Sequence, residues 1–415
     1  MKMQSKVLEK FLRYIKIDTE ADENSQSFPS SEKQKDLGRL LSKELSEMGA
    51  SEVFFDEEYG YVYAKIPAND GGKNKKVLGF ISHMDTAPSF TGKNVNPRII
   101  ENYDGNDIIL NEKENIILST KKFPEVLNYV GKTLITTDGT TLLGADDKAG
   151  IAEIMTMAEI LLNSPEIQHG TIAICFTPDE EVGAGVDHID LKRLDADFAY
   201  TVDGGILGEL EYENFNAASA VCRIRGVNVH PGEAKNKMKN ASLIGMELEA
   251  LLPQNEKPQF TSGYEGFFHL TSIKGDEENA RLDYIIRDHS KEKFEEKKLL
   301  ISKCVEFLNA KYGQNTVVLA MKDSYYNMKE KIEPDFYFLI EEAKKAMEEL
   351  GIQPRIQPIR GGTDGARLSY MGLPCPNLCT GGHNFHGRYE YICLESMEAV
   401  VGLLLKLASV SFENK

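Results

Sequence analysis

Apolar positions along the chain recur with two periods, and the changes of period mark its elements. From Glu32 to Leu45, the residues Leu37, Leu40, Leu41 and Leu45 fall on one helical face, and strand-like runs follow at Val53 to Phe55, Tyr61 to Ile66 and Val77 to Ile81. Thr91 to Thr141 breaks the alternation: it is rich in Asn, Gly, Asp and Lys, with short β-like runs at Ile108 to Leu110 and Ile116 to Leu118, and reads as an elaborated insertion. Beyond it, Ile151, Ile154, Met155, Ala158, Leu161 and Leu162 make an apolar helical face, with Asp146 and Asp147 just ahead, where acidic groups favour a helix start. Two unbroken apolar strands come next, Thr171 to Phe176 and Phe198 to Val202. Strands of that kind between helices imply a sheet covered on both faces.

The pattern changes near Asn214. Strand Ala217 to Val229, helix Ser242 to Leu252, strands Gly266 to Ile273 and Leu282 to Arg287, helix Lys291 to Leu308 and strand Thr316 to Met321 spell β-α-β-β-α-β, the ferredoxin-like unit. After Asp323 the earlier signal returns, with helix Asp335 to Leu350, the turn-rich Arg360 to Gly365 and helix Leu394 to Ala408. The expected fold is α/β: a central mixed sheet flanked by helices, in two parts at 1–213 and 324–415, interrupted by a ferredoxin-like lid domain at 214–323.

Composition narrows function more than fold. The 415 residues are 41% hydrophobic and 27% charged, as in an ordinary globular protein, while the net charge of -17 opposes phosphate backbones and anionic membranes and argues against nucleic acid as a partner. The stretch Met1 to Lys16 sets Lys2, Lys6, Lys10, Arg13 and Lys16 among Val7, Leu8, Phe11, Leu12 and Ile15 at helical spacing, which is not the pattern of a signal peptide. The apolar run Ala399 to Leu405 is broken by Lys406, far short of the roughly 20 residues a membrane helix needs. A cytoplasmic location is expected. The six cysteines are scattered, which fits reduced, buried thiols; Cys375 and Cys379 are spaced like half a zinc site, but no second half exists and a structural role is expected.

Five polar clusters carry candidate chemistry: His83-Met84-Asp85, Ala145-Asp146-Asp147, Pro178-Asp179-Glu180-Glu181, Val202-Asp203-Gly204-Gly205 and Gly381-Gly382-His383-Asn384-Phe385-His386. The first four close apolar strands or open a helix, and in an open α/β sheet ligands gather beyond the carboxyl ends of strands, so the clusters can converge. Together they offer imidazoles and carboxylates. Two dications are formally balanced by three carboxylates and one bridging hydroxide, a neutral set that tolerates partial burial, and imidazole among carboxylates favours zinc, or cobalt and manganese, over magnesium.

The order Ile81-Ser82-His83-Met84-Asp85, Leu143-Gly144-Ala145-Asp146-Asp147-Lys148-Ala149-Gly150, Phe176-Thr177-Pro178-Asp179-Glu180-Glu181-Val182-Gly183 and Thr201-Val202-Asp203-Gly204-Gly205 resembles the co-catalytic zinc peptidases that include aminoacylases and glutamate carboxypeptidases. The segments Gly92 to Pro97, Thr133 to Gly139, Glu213 to Ala217, Asp323 to Met328 and Pro358 to Gly365 extend the resemblance over essentially the whole chain, toward the tripeptide-cleaving aminopeptidases of that family. The resemblance implies two zinc ions per subunit, one held by His83 and Asp203, the other by Glu181 and His386, with Asp146 bridging. It implies that Asp85 fixes the tautomer of His83 and that Glu180 is the general base toward the bridging water. It further implies that His230 stabilises the oxyanion, that Arg287 and Arg360 hold the substrate carboxylate, with Asn240 a weaker candidate of the same kind, and that the protein forms a homodimer through the lid domain.

Alone, each of these residues has a plainer reading. His83 would be a satisfied strand-end histidine, each acidic pair a helix cap or solvated turn, His230 an exposed turn residue, and Arg287 a partner of Asp288. Asp147 keeps the plain reading as support for the helix start. His383 departs from the single histidine of relatives at this loop and is expected to be structural or to face substrate. Dipeptidase, carboxypeptidase and N-deacylase activities share the same metals and differ in what anchors the substrate ends; a non-catalytic member of the fold would lack a ligand or the base.

Overall fold

The computed structural model describes residues 5–412. Lys2, counted above in the amphipathic N-terminal stretch, lies outside the described residues. The chain divides into two compact units: a larger one formed by the described residues up to Tyr212, by Glu330–Ile356 and from Thr363 onward, and a smaller one formed by Glu213–Lys329 with Gln357–Gly362. Against the expected boundaries at 214 and 323, the division falls at 213 and 329, and Gln357–Gly362 joins the smaller unit.

In the larger unit an eight-stranded sheet runs in the order Ser51–Phe55, Val62–Ile66, Ile172–Thr177, Leu78–His83, Phe198–Gly204, Asn377–Cys379, Glu209–Glu211, Arg355–Ile356. The middle four strands are parallel, with His83 level with Thr177 and Ile81 level with Thr201. Alternation along these strands feeds two cores. Leu78, Phe80, Ile172, Ile174, Phe176, Tyr200 and Val202 join the core under helices Lys6–Tyr14, Ala145–Asn163 and Leu394–Ala408, whereas Ile81, Ala173, Cys175 and Ala199 join Leu368 and Cys375 on the other side. Each large side chain so buried contributes about 1.5–3 kcal/mol, which fixes the register, since a one-residue slip would exchange the two faces.

Cys375 and Cys379 are fully buried, and burial pushes both thiols up, Cys379 to about 12, as expected of structural cysteines. All six cysteines are free and buried. Among the described residues no helix is long and apolar enough to cross a membrane.

Three details add to the expectations. The insertion is not self-contained: its strands Arg98–Ile100 and Leu134–Thr136 form a second sheet with the C-terminal strands Gly382–His383 and Tyr391–Cys393, while Ile108–Asn111 and Ile116–Leu118 pair with each other. The helix expected from Asp335 to Leu350 is observed at Phe338–Glu349, and a break separates it from a short helix at Lys329–Ile332. Pro334 accounts for that break, because it has no N–H and its ring excludes a continuous helix. Asp146 and Asp147 lie within the first turn of helix Ala145–Asn163 and depart from helical geometry there (φ -86°, ψ 104° and φ -119°, ψ 30°).

The smaller unit has four antiparallel strands in the order Phe267–Gly275, Asn279–Asp288, Asn216–Arg225, Val317–Tyr325, with helices Ala241–Leu251 and Lys291–Tyr312 packed on its core, the expected ferredoxin-like arrangement. Three buried asparagines tie the chain ends of this unit. Asn214 accepts from the Met328 N–H (2.7 Å) and donates to the Phe215 and Tyr326 carbonyls, Asn216 donates to the Asp288 and His289 carbonyls, and Asn327 donates to the His289 carbonyl. Ile359 joins them through its N–H to the Glu213 carbonyl, which explains why Gln357–Gly362 belongs here.

Candidate active site

The three parallel strands Ile172–Thr177, Leu78–His83 and Phe198–Gly204 end at one edge, and each delivers an acid or imidazole there. His83 closes its strand with its side chain 2% exposed. Its Nδ1–H donates to the main-chain oxygen of Asp85 (3.0 Å), with the Asp85 carboxylate 3.3 Å away, so the orienting role expected of that carboxylate is shared with its own carbonyl. The Asp85 carboxylate also accepts the N–H groups of Glu180 and Glu181, each at 3.0 Å. One fully buried aspartate thus fixes both the imidazole and the turn that carries the two glutamates.

Nε2 of His83 lies 2.9 Å from Asp146 Oδ1 and 3.4 Å from Asp203. Nε2 of His386 lies 3.0 Å from the other Asp146 oxygen and 3.1 Å from Glu181. The polar contacts therefore sort into two sets that share Asp146. Ligand atoms of His83, Asp146 and Glu181, and of His83, Glu180 and Asp203, come close enough to hold an ion. Two imidazoles with several carboxylates suit borderline dications such as zinc, so the donor set fits the group inferred from the sequence.

Electrostatics follow from crowding like charges where water is excluded. Burial pushes Glu181 up to about 7, Asp203 to about 6 and Glu180 well above the usual carboxylate range, the neighbouring acids adding to each. Burial acts the same way on Asp146, but hydrogen bonds from His386 and His83 outweigh it and hold that carboxyl low. Burial opposes a charge on His83, yet Asp203 and Asp146 hold its imidazole well above the usual value, and hydrogen bonds to Asp146 and Glu181 raise His386 to about 11. A dication could replace these protons as the counter-charge.

His383 is brought elsewhere. It is 8% exposed, its ring stacks on Tyr391 at 4.6 Å, its Nε2 meets the Tyr129 hydroxyl at 2.7 Å, and burial lowers it to about 4. Asp147 is not among the clustered ligand atoms: its carboxylate receives the Ser82 hydroxyl and the His83 N–H (3.2 Å).

The candidates in the smaller unit bond mostly to backbone. Asn240 caps helix Ala241–Leu251 by accepting the Leu243 N–H (3.1 Å). Arg360 donates to the Gly263 and Glu265 carbonyls and to the Thr261 hydroxyl, and lies over the Phe215 ring. Arg287 donates to the Arg360 carbonyl (3.1 Å), while its Nε is buried with no partner. Exposed His230 accepts the Gly232 N–H at Nδ1 (3.2 Å), which leaves the proton on Nε2.

Sequence reasoning missed three buried residues around the larger unit's site. Asp364, 4% exposed, accepts the Thr177 hydroxyl (3.0 Å), and burial pushes it to about 7; a Cβ at Gly185 would collide with its carboxylate. Lys148 donates to the Ile17 carbonyl (2.7 Å), with burial lowering it to about 7. Glu390 accepts four backbone N–H groups from Leu143 to Asp146. A single acid inside Tyr389-Glu390-Tyr391-Ile392-Cys393 was the available signal for the last.

The profile of peptidase family M20/M25/M40 matches residues 141–409. Peptidase T of Alkaliphilus oremlandii is 59% identical over 402 residues, which cover 97% of this chain and 98% of that protein. Peptidase T of Bacillus subtilis is 55% identical over 406 residues, 98% of each. In structure, aminopeptidase PepT from Bacillus cereus is similar at TM-score 0.77 and 24% identity over 98% of both chains. The Bacillus subtilis YXEP protein, described as a dinuclear metal binding peptidase, is similar at TM-score 0.66 and 16% identity over 99% of this chain and 98% of that one. Those two likenesses bear on the fold.

Proposed function

The chain belongs to peptidase family M20/M25/M40, and from that premise we propose that it is an aminopeptidase that releases the N-terminal residue of tripeptides at a two-zinc centre. The observation that carries the reading is the sharing of Asp146: its two carboxylate oxygens meet two histidines that come from sequence positions 83 and 386. His83 and Asp203 form one ligand set, Glu181 and His386 the other, with Asp146 common to both. Zinc is the metal proposed, with cobalt or manganese as substitutes; when bound, the ions supply Lewis acidity toward the scissile carbonyl and make the attacking water more acidic.

Glu180 is the proposed base. Its backbone is held by Asp85, and burial raises its carboxyl above the usual carboxylate range, which makes it a stronger base for the proton of the attacking water, returned in turn to the leaving amine. In the smaller unit, His230 carries its proton on Nε2, the form that donates to an oxyanion. Arg287, whose guanidinium donates to the Arg360 carbonyl, is proposed to hold the substrate carboxylate; Arg360 and Asn240 remain proposals for the same end of the substrate, each with most or part of its bonding directed to backbone. Exposed Leu243, Met246, Leu299 and Phe307 on the helices of the smaller unit support a homodimer formed through it. The free buried cysteines fit a reducing cytoplasm.

A substrate panel tests the activity. Zinc-loaded enzyme is expected to cleave free tripeptides at the first bond and to leave N-acetylated tripeptides intact, with dipeptides and tetrapeptides much slower. Cleavage of the acetylated peptide alone would turn the reading into an N-deacylase or carboxypeptidase of the same fold.

A further inference from the structure

Glu390 is 1% exposed and stands at the root of strand Tyr391–Cys393, which is paired on one side to Leu134–Thr136 and on the other to Gly382–His383. One of its oxygens accepts the N–H groups of Leu143 (2.6 Å) and Gly144 (2.8 Å), the other those of Ala145 (2.7 Å) and Asp146 (3.2 Å). The last three, from Gly144 to Asp146, are donors that helix Ala145–Asn163 leaves unsatisfied at its start, and no local side chain caps it: Gly144 occupies the cap position at φ 79°. A serine or aspartate beside the helix would serve a cap equally well. The acceptor instead comes from a strand 244 to 247 residues away.

That distant origin closes a ring. From Glu390 the path runs through four hydrogen bonds to the backbone of Leu143 to Asp146, through the Asp146 carboxylate to Nε2 of His386 (3.0 Å), and along four residues of chain back to Glu390, whose own N–H is held by the Gly387 carbonyl (3.2 Å). His386 sits at φ 64° with its side chain 49% exposed, and its Nε2 is met by Asp146 and by Glu181 (3.1 Å). We propose that Glu390 is a positioning residue for the metal centre, its carboxylate locking the backbone that carries Asp146 to the loop that carries His386. The proposal rests on the two-metal reading above and adds the element that sets the distance between the shared ligand and the exposed one.

The test compares Glu390→Gln with Glu390→Asp in the full chain. An amide would turn an NH2 group toward two of the four N–H donors, whereas aspartate keeps two acceptors on a shorter stem. Glu390→Gln is expected to fold by circular dichroism and to bind zinc about 10–100-fold more weakly in calorimetric titration of the metal-free protein. Its cobalt-substituted form should show a changed visible spectrum, and at saturating metal kcat should fall while KM holds. Glu390→Asp should recover part of each.

Parent-like zinc affinity and cobalt spectrum in Glu390→Gln, with only the melting temperature lowered, would reduce the residue to a helix cap and overturn the proposal. If Glu390→Gln fails to fold, Glu390→Asp decides on the same two readouts. Because both are read without peptide, weakened zinc binding in a protein that cleaves no tripeptide would sink the peptidase reading and leave this one standing.

Discussion

The polar groups at the sheet edge of the larger unit and those of the smaller unit differ in what holds them. At the edge, His83, Asp146, Glu181, Asp203 and His386 bond to one another across the sequence, with acids crowded out of water and pushed up to about 6 and 7. In the smaller unit Asn240 caps a helix, the buried asparagines tie loops, and Arg360 clamps the Thr261–Glu265 turn through its carbonyls and hydroxyl. Bonds from side chain to backbone stabilise the fold and need no further reason. Like charges gathered where burial opposes them lower stability unless a ligand repays it, so the first arrangement points to chemistry in a way the second does not.

Removing the base should break the comparison most sharply. Glu180→Gln is expected to keep its metal, since Asp85 still holds the turn through backbone N–H groups, and to lose about 10²–10⁴ in kcat. Metal analysis beside steady-state kinetics checks it; parent turnover would remove Glu180 from the mechanism. The two histidines should separate next. His83→Ala leaves Asp85, Asp146 and Asp203 without their buried imidazole and should destabilise the metal-free protein by about 1–3 kcal/mol. His386→Ala, from a half-exposed position, should cost less than about 1 kcal/mol, while both weaken zinc binding. Denaturant melts with and without metal distinguish them, and full metal content with full activity in His386→Ala would shift the ligand assignment toward His383.

Titration sharpens the same contrast more gently. Glu181, Asp203 and Asp364 are raised by burial to about 7, 6 and 7, above the roughly 4 of unfolded carboxyls. The folded metal-free protein therefore binds more protons than the unfolded chain in that window, and its stability should fall as pH rises from about 4.5 to 7. His386, raised to about 11, extends the fall above its unfolded value near 6.5. Zinc supplies the missing counter-charge, so melting temperatures of the loaded protein should decline less over the same range. Parallel curves for the two forms would mean that these acids are not metal-facing.

What could be read in advance follows the same division. The apolar runs ending at Ile81, Phe176 and Val202 announced strands of a sheet covered on both faces, and the acids and imidazole beyond them marked the edge, because burial on both faces writes continuous apolar sequence. Strands of two or three residues, Glu209–Glu211, Arg355–Ile356, Asn377–Cys379 and Gly382–His383, are too short for a period to show, and long-range pairing creates them. Glu390 was invisible for a related reason: its partners are backbone N–H groups, which every sequence contains. Asp364 lay inside a motif already noticed, but its role depends on Thr177 and Gly185, which only the fold brings beside it.

The smallest expected effect bears on Asn240, where the two readings of the smaller unit meet. Its Oδ1 accepts the Leu243 N–H at 3.1 Å, and that bond alone accounts for an asparagine ahead of Ala241–Leu251. Asn240→Ala removes the cap and should lower stability by about 1 kcal/mol, whereas Asn240→Ser keeps a cap acceptor and should lose only a few tenths. Serine does not reproduce the reach or the NH2 donor of asparagine, so a substrate contact would be lost in both variants. If capping is the whole role, Asn240→Ser has parent KM for tripeptides and nearly parent stability. A raised KM in Asn240→Ser with stability intact would instead place Asn240 among the groups that meet the substrate, and would show that a side chain bonded to backbone can still serve the reaction.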